Sequence, residues 1–147
     1  MTSIGERGLA IALLRASDWF NDALLARLVD RGWPALNRSQ SLTFANLDPH
    51  GSRPAELARR VGISRQSMQK LIEELVDHGL VTVAADPDDR RAKVVMLTPR
   101  GRRLTQSAAD ILQQIEAELA DRVGHPTVSA LRRALDADWG PPPVNGP

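Results

Sequence analysis

The sequence predicts a mainly helical chain with one small β-hairpin, which is an α+β fold. Apolar residues recur at three- and four-residue steps along most of the 147 positions, the spacing of amphipathic helices. Residues typical of β-strands are concentrated in two short segments, residues 80–84 and 93–97. The charged turn between these segments, residues 86–91, contains a proline and is typical of a hairpin connection.

Composition limits the classes of protein that the chain can represent. A length of 147 residues corresponds to one ordinary domain. The chain has no cysteine, which excludes disulfides, thiolate metal sites and thiol-based redox sensing. No apolar stretch approaches the roughly 18 residues of a membrane span, and the first residues lack the layout of a signal peptide. We therefore expect a cytoplasmic protein without a membrane partner.

Charge is unevenly distributed, although the formal net charge is only +1. Residues 1–52 contain five arginines and five acidic residues, so their charges sum to zero. Residues 53–103 contain 11 cations against seven acidic residues, and residues 104–147 contain three against six. This positive excess in the middle third favours an anionic partner there, with an accident of composition as the alternative.

Four helices are predicted before the hairpin. The first covers residues 4–29, and its wide apolar stripe requires cover on more than one side. A second, weaker helix covers residues 36–47. The third covers residues 54–61, with Ser52 as its expected N-cap. The fourth, over residues 65–78, begins after the capping residue Ser64 and ends before Gly79.

The spacing of the third and fourth helices matches a helix-turn-helix. Ala58 is small where the two helices cross closely, and Gly62 lies in the turn, where a positive φ is easiest for glycine. A buried wedge that fixes the angle between the helices is formed by Leu57, Val61, Ile63, Met68 and Leu71. An ordinary helical hairpin is the alternative interpretation.

The polar face of the fourth helix predicts contacts with DNA. The apolar face, expected to be buried, consists of Met68, Leu71, Ile72, Leu75 and Val76. The opposite face has cationic and amide side chains that can hydrogen-bond guanine and adenine in the major groove. They are Arg65, Gln66, Gln69 and Lys70. Ser64 and Ser67 are expected to reach phosphates from the helix N-terminus. The alternative is the polar face that any surface helix has.

The hairpin predicts a second contact with DNA. A short strand pair directly after a recognition helix is the wing of a winged helix, and its arginines can enter the narrow A·T-rich minor groove. The cations at its tip are Arg90, Arg91 and Lys93. Asp89 is expected to hold an arginine in position through a charge-assisted hydrogen bond. A solvated loop is the alternative.

Two more helices are predicted after the hairpin. Thr98 is expected to cap the first of them, with Pro99 at its first position, and its apolar stripe extends to Val123. A turn is expected at residues 125–126, and Thr127 is expected to cap the last helix.

Three short motifs resemble those of the MarR family of bacterial transcriptional regulators. Residues 89–98 fit the wing signature D-x-R-x5-L-T, and residues 97–101 fit the L-T-x-x-G that follows it. Residues 75–81 resemble the L-x-x-x-G-L-V segment that links the recognition helix to the wing. The resemblance covers almost the whole chain, helix for helix.

This resemblance implies a homodimer of winged helices, usually a repressor that a small ligand releases from a palindromic operator. Residues 36–98 would form the DNA-binding lobe, residues 4–33 and 99–138 the helical dimerisation region, and residues 139–147 a flexible tail. Terminal helices that only close the protomer's own core are the alternative. By position, Asp89 and Arg91 match the wing ion pair and the minor-groove arginine of the family. The second helix departs from the family in lacking an aromatic-rich pattern, and the absence of cysteine excludes the peroxide-sensing branch.

A ligand pocket is predicted where the first two helices meet the DNA-binding lobe. Most of the aromatic side chains of the chain are expected there, together with one histidine. The residues are Trp19, Phe20, Trp33, Phe44 and His50. A pocket with aromatic walls and few polar groups suits a small aromatic or phenolic effector. Ordinary core packing of the same residues is the alternative.

Other functions have less support in the sequence. No histidine or carboxylate cluster has the spacing of a metal site, so neither a metal nor a cofactor is predicted. No phosphate-binding loop or hydrolase motif is present, which argues against an enzyme. A winged-helix adaptor that binds a protein and never DNA is the main alternative, but it would not need cations on both the recognition helix and the wing.

Overall fold

The structure is a computed structural model that describes residues 8–144. Within these residues the chain forms six helices and one two-stranded antiparallel sheet, which confirms the predicted fold class. The elements are α1 (Leu9–Asp30), α2 (Arg38–Ala45), α3 (Pro54–Val61), α4 (Arg65–Asp77), β1 (Val81–Ala85), β2 (Lys93–Leu97), α5 (Pro99–Val123) and α6 (His125–Asp136). None of the described helices is long and apolar enough to span a membrane.

The chain divides into two compact units, with the boundary inside α5. The larger unit ends at Leu112 and contains α1 to β2 and the first part of α5. The smaller unit begins at Gln113 and contains the rest of α5 together with α6. The predicted start of the first helix, at residues 4–7, lies outside the described residues, and α1 begins after Gly8.

Local hydrogen bonds explain where α2 and α4 begin. At α2, Asn37 Oδ1 accepts from the backbone N–H of Gln40, and Gln40 Oε1 accepts from the backbone N–H of Asn37, both at 2.9 Å. This reciprocal pair satisfies two of the N–H groups that a helix start leaves free. At α4, the predicted cap is confirmed, because Ser64 Oγ accepts from the backbone N–H of Ser67 at 3.0 Å.

Ser52 is not the N-cap of α3, which corrects the prediction. The N-cap is Arg53, and its side chain makes no capping hydrogen bond. Ser52 instead pairs with Val95 of β2 through two backbone hydrogen bonds of 3.0 and 2.8 Å, and its hydroxyl accepts from the backbone N–H of Asp48. Because Ser52 is extended and pairs with β2 directly before the N-cap Arg53, the start of α3 is attached to the hairpin.

The last helix also begins earlier than predicted. Residues 125–126 are its first turn and not a separate turn, and the N-cap is Gly124 with φ of 99°. Pro126 fits there because the first N–H groups of a helix have no intrahelical acceptor, so a missing N–H costs nothing. Thr127 therefore lies inside the helix rather than at its cap.

The core of the larger unit is built around α4, which packs against α2, α3 and β1. Met68, Leu71, Ile72 and Leu75 of α4 are buried, as predicted. Val76 is 41% exposed, which contradicts its predicted burial. The buried stripe of α4 ends at Leu75, and the helix itself ends one residue after Val76. The most deeply buried partners outside α4 are Leu57, Leu80 and Val95.

Thr98 connects the hairpin, α4 and α5. Its hydroxyl donates to the carbonyl of Gly79 at 2.6 Å and accepts from the backbone N–H of Gly101 at 2.9 Å, which confirms it as the cap of α5. Its backbone N–H donates to the carbonyl of Leu80 at 3.1 Å. The hairpin itself pairs five residues on each strand, from Val81 with Leu97 to residue 85 with residue 93.

Candidate nucleic-acid interface

The turn between α3 and α4 is held by a single carbonyl. The backbone N–H groups of Gly62 and Ile63 both donate to the carbonyl of Ala58, at 2.9 and 3.1 Å. Gly62 has a φ of 77°, a conformation that glycine adopts without steric cost. Ala58 is buried between the two helices, as its small size predicts. These contacts set α4 at a fixed angle to α3.

The predicted base-contacting face of α4 is open to solvent. The sequence predicts six DNA-contacting residues in the N-terminal half of α4 and its cap, and all six are exposed. They are Ser64, Arg65, Gln66, Ser67, Gln69 and Lys70. The acidic residues of α4 lie in its C-terminal half, at positions 73, 74 and 77. The first two turns of the helix are therefore the part whose charge suits an anionic surface.

A cleft of about 500 Å³ separates α4 from the hairpin. It brings Arg65 and Gln69 of α4 together with Lys93 of β2, three residues predicted from two separate motifs. Glu73 is the acidic side chain on this cleft, and Arg53 adds a cation that the sequence analysis did not single out. Side chains predicted to contact the major groove, Arg65 and Gln69, therefore lie on the same concave surface as Lys93, which is predicted to contact the minor groove.

Arg53 is held by a buried carboxylate below the hairpin tip. Its Nε and Nη2 atoms donate to Asp86 Oδ2 at 3.1 and 2.7 Å, and Asp86 is only 8% exposed. The other oxygen of Asp86 accepts from the backbone N–H of Asp88 at 2.9 Å. That backbone hydrogen bond first, and the Arg53 guanidinium second, hold the pKa of Asp86 below its ordinary value. The sequence offered no signal for this pair, because its members lie 33 positions apart.

The structure does not form the predicted ion pair between Asp89 and Arg91. Both residues are exposed at the hairpin tip, and Asp89 Oδ1 accepts from the backbone N–H of Arg91 at 3.0 Å. No ion pair between the two side chains is present in this part of the described chain. The carboxylate of Asp89 therefore closes a tight local turn. Aspartate often has this role, because its side chain can accept from the backbone N–H two residues further along. Arg90 and Arg91 are therefore both exposed on the hairpin.

Cations on α3 are paired with a carboxylate of the same helix, unlike Arg65 and Lys93 of the cleft. Arg59 and Arg60 both donate to the carboxylate of Glu56, at 2.6–3.0 Å. The hydrogen bond from Arg59 is the main cause that lowers the pKa of Glu56 to about 2. The surface of α3 is therefore an internally paired network rather than a free basic patch.

The five residues predicted to line one ligand pocket make different contacts in the structure. Trp19 and Phe20 contact each other edge to face with ring centroids 5.1 Å apart, and Trp33 lies under the guanidinium of Arg100 at 5.2 Å. His50 is exposed. Phe44 lines a cavity of the larger unit.

That cavity has a volume of about 210 Å³ and lies among α1, α2 and α5. Its walls are mostly aliphatic, with one aromatic ring and two hydroxyl groups. They consist of Leu24, Leu28, Leu36, Ser41, Phe44, Ala45, Leu104, Thr105, Ala108, Ala109 and Leu112. Aliphatic residues at helical spacing look the same in a sequence whether they close a core or surround a cavity, so this site had no sequence signal.

A helix-turn-helix followed directly by a two-stranded hairpin defines the winged helix-turn-helix class. Within this class, the model of the MarR family matches residues 36–92. The HTH-type transcriptional repressor NicR of Pseudomonas putida is 31% identical over 113 residues, which span 71% of this chain and 70% of that relative. The chain belongs to the MarR family, as its three motifs predict.

Solved structures share the fold over most of the chain. The transcriptional repressor CouR, bound to a 23-mer DNA duplex, has a TM-score of 0.67 at 25% identity and covers 92% of this chain and 96% of its own. Rv2887 of Mycobacterium tuberculosis, in complex with salicylic acid, has a TM-score of 0.66 at 26% identity, and the match covers 88% of this chain and 95% of Rv2887. Uncharacterized mycobacterial proteins are 34% identical over 80 residues, and the match spans 56% of their length.

Proposed function

We propose that this protein is a transcriptional regulator that binds double-stranded DNA sequence-specifically, as a homodimer on a palindromic operator, and acts as a ligand-responsive repressor in the cytoplasm. The observation that carries the proposal is the cleft in which Arg65 and Gln69 of α4 meet Lys93 of the hairpin. The relative NicR is named a repressor, and the structure of CouR contains a DNA duplex. Both facts support the same role for this chain.

The N-terminal half of α4 is the element proposed to enter the major groove. Arg65 can pair bidentately with guanine, and Gln66 or Gln69 with adenine, while Lys70 adds positive charge. Ser64 and the free N–H groups of the helix start suit a phosphate, because the helix dipole favours an anion there. The buried face of α4 opposite these residues holds the helix on the body of the protein, so its polar face stays available.

The hairpin is the element proposed to follow the DNA into the adjacent minor groove. Arg90, Arg91 and Lys93 are exposed on it, and a narrow minor groove concentrates negative potential. Because the carboxylate of Asp89 is occupied by a backbone N–H, neither arginine needs to break an ion pair with it before it binds DNA.

The first prediction concerns Arg65. We expect Arg65→Ala to weaken binding to the cognate operator by about 1–3 kcal/mol per contact, and binding to random DNA by less, since only the operator offers the base that Arg65 pairs with. The operator is obtained by selection from random sequences, and both affinities are measured by fluorescence anisotropy. Arg59→Ala is the matched control, because Arg59 is paired with Glu56 on α3 and is not part of the cleft. Equal losses on both DNAs would contradict base readout, and absence of any salt-dependent DNA binding by the wild type would favour the adaptor alternative.

A small aromatic or phenolic effector is proposed to bind the cavity among α1, α2 and α5. At about 210 Å³ this cavity lies below the roughly 300–1,000 Å³ of drug-sized ligand sites, so it suits a compact compound of one ring. The structure of Rv2887 contains salicylic acid, which is a compound of that size. The hydroxyls of Ser41 and Thr105 are the polar groups available to orient it.

One hydrogen bond connects the helix that lines this cavity to the recognition helix. Gln40 Nε2 donates to Glu74 Oε2 at 3.0 Å, and Gln40 is buried. Gln40 precedes Ser41 on α2, so a ligand that displaces α2 also displaces a group that contacts α4. This contact supports a ligand-responsive orientation of the recognition helix.

The second prediction tests the cavity. Ala108→Leu is expected to fill part of it and to weaken the response to salicylate at least about tenfold, because the larger side chain takes the ligand's space. The response is followed by tryptophan fluorescence and by release of bound operator. Ala26→Leu, at an exposed position of α1, adds the same atoms outside the cavity and is expected to respond as the wild type does. A salicylate response that Ala108→Leu leaves unchanged would place the effector elsewhere.

A further inference from the structure

We propose that Arg53 is a DNA-backbone contact of this protein, oriented in advance by Asp86. The inference rests on the proposed DNA binding and adds to it a residue outside the recognition helix and the hairpin tip. Arg53 lines the cleft between α4 and the hairpin, together with Arg65 and Lys93. Three guanidinium or ammonium groups thus converge on a surface with one acidic side chain, Glu73.

The backbone on both sides of Arg53 is restrained. On one side, Ser52 is paired with Val95 of β2 through two hydrogen bonds. On the other, Pro54 begins α3 with its φ restricted by the ring. The Cα of Arg53 therefore has a defined position relative to both the hairpin and the helix-turn-helix.

The side chain is restrained as well, although more than half of it is exposed. Its exposed fraction is 54%, a level at which an arginine usually samples many rotamers. Two donors on one edge of the guanidinium bind the same oxygen of Asp86, and Asp86 is buried and has a backbone partner on its other oxygen. Part of the entropy cost of ordering Arg53 is thus already met in the free protein.

The free edge of the guanidinium is available for an anion. The contacts with Asp86 use Nε and one hydrogen of Nη2, so Nη1 and the second hydrogen of Nη2 have no protein partner among the described residues. The hydrogen bond to Asp86 also raises the pKa of Arg53 further above its ordinary value, so the group stays charged. A planar, charged edge of this kind matches the geometry of a phosphate.

The position of the cleft identifies which anion this is. In the proposed complex, α4 occupies a major groove and the hairpin the neighbouring minor groove. Adjacent major and minor grooves of a duplex are separated by one sugar–phosphate strand, so the cleft between the two elements faces that strand. Arg53 lies at this junction, where a phosphate rather than a base edge is the nearest acceptor.

The competing role for Arg53 is that of a latch that only holds the hairpin through Asp86. The two roles differ in the salt dependence of DNA binding. A phosphate contact contributes about one unit to the slope of log affinity against log salt for each protomer, whereas a latch contributes none directly.

The experiment measures this slope with the full chain on its selected operator. Arg53→Gln is expected to reduce the slope by about one unit per protomer and to weaken operator and random DNA alike. Arg53→Lys keeps the charge and is expected to keep the slope, with lower affinity because the planar edge is lost. Asp86→Asn retains Arg53 and is expected to keep the slope too. Arg59→Gln is the matched control, because Arg59 is also an arginine bound to a carboxylate but does not line the cleft.

If Arg53→Gln alone is too unstable to measure by thermal unfolding, the double variant Arg53→Gln with Asp86→Asn removes both charges and is expected to show the same reduced slope. A wild-type slope in Arg53→Gln or in the double variant would overturn the contact. Equal effects of Arg53→Gln and Asp86→Asn on affinity, with neither changing the slope, would establish a latch. A wild type that binds DNA without salt dependence would refute the proposed function itself, which is a different result.

Discussion

Gly101→Ala is expected to destabilise the protein by about 3 kcal/mol or more, because a Cβ at this position has no space. The added carbon would overlap the carbonyl oxygen of Leu80 and lie 3.2 Å from Cδ2 of Leu97. The first of these neighbours is backbone, and it accepts a hydrogen bond from Thr98 at 3.1 Å. Relief of the clash therefore requires the start of α5 to move away from the segment that leads into the hairpin.

The measurement is chemical denaturation of the purified variant beside the wild type. Gly8→Ala is the control, because among the described residues its Cβ would meet Ile11 alone, at 3.9 Å, and we expect it to change stability by less than about 1 kcal/mol. Operator affinity is expected to fall with Gly101→Ala as well, since the hairpin and α4 both contact the displaced segment through Thr98. An unchanged denaturation midpoint for Gly101→Ala would show that the close approach does not exist in solution.

The double variant Leu131→Glu with Leu135→Glu is expected to convert the proposed homodimer into a monomer and to weaken operator binding by roughly a hundredfold or more, since one protomer then reads a single half-site. The two residues lie four positions apart, hence on one face of α6, and are 45% and 47% exposed. No residue of α6 is buried within the described chain. Trp139, just beyond the helix, is also exposed, so this part of the chain presents an apolar surface that a second copy would cover.

The two added glutamates distinguish a dimer interface on α6 from an ordinary solvent-exposed surface. In a monomer, the two exposed glutamates would change stability by only about 0.5 kcal/mol each, whereas in a dimer they would place charges in an apolar contact. Analytical ultracentrifugation at micromolar concentration gives the oligomeric state. Ala130→Glu with Ala134→Glu adds the same charges at the same spacing on another face of α6 and is expected to leave the dimer intact. A wild-type monomer would reject the proposed homodimer, and a dimeric Leu131→Glu, Leu135→Glu variant would exclude α6 from the interface.

Local signals in the sequence were sufficient for most of the secondary structure. Ser64 and Thr98 are recognised as caps because a hydroxyl accepts a hydrogen bond from an N–H only three positions away, a geometry that depends on a few neighbouring residues. Gly62 and Gly79 end their helices because each has a positive φ, which is again a property of one residue. The same locality explains why the face of α4 that is proposed to meet DNA was predictable from periodicity.

Local patterns failed where a distant partner was decisive. Ser52 has the composition of an N-cap, but its backbone is taken by β2, more than forty positions later in the chain. Asp89 has the position of an ion-pair partner, but it closes its own turn, while Asp86 pairs with Arg53. The predicted aromatic pocket stays a prediction, since residue type does not reveal which side chains converge.

The sequence by itself determined the order and type of the elements, the motifs of the MarR family, and the cationic face of α4, because each depends on residues within one or two helical turns. Only the tertiary structure decided that Arg53 shares a cleft with Arg65 and Lys93, that Gln40 contacts Glu74, and that position 101 must be glycine. Such contacts join residues that are between 12 and 40 positions apart, and their distances follow from how the helices pack rather than from the composition of any one segment.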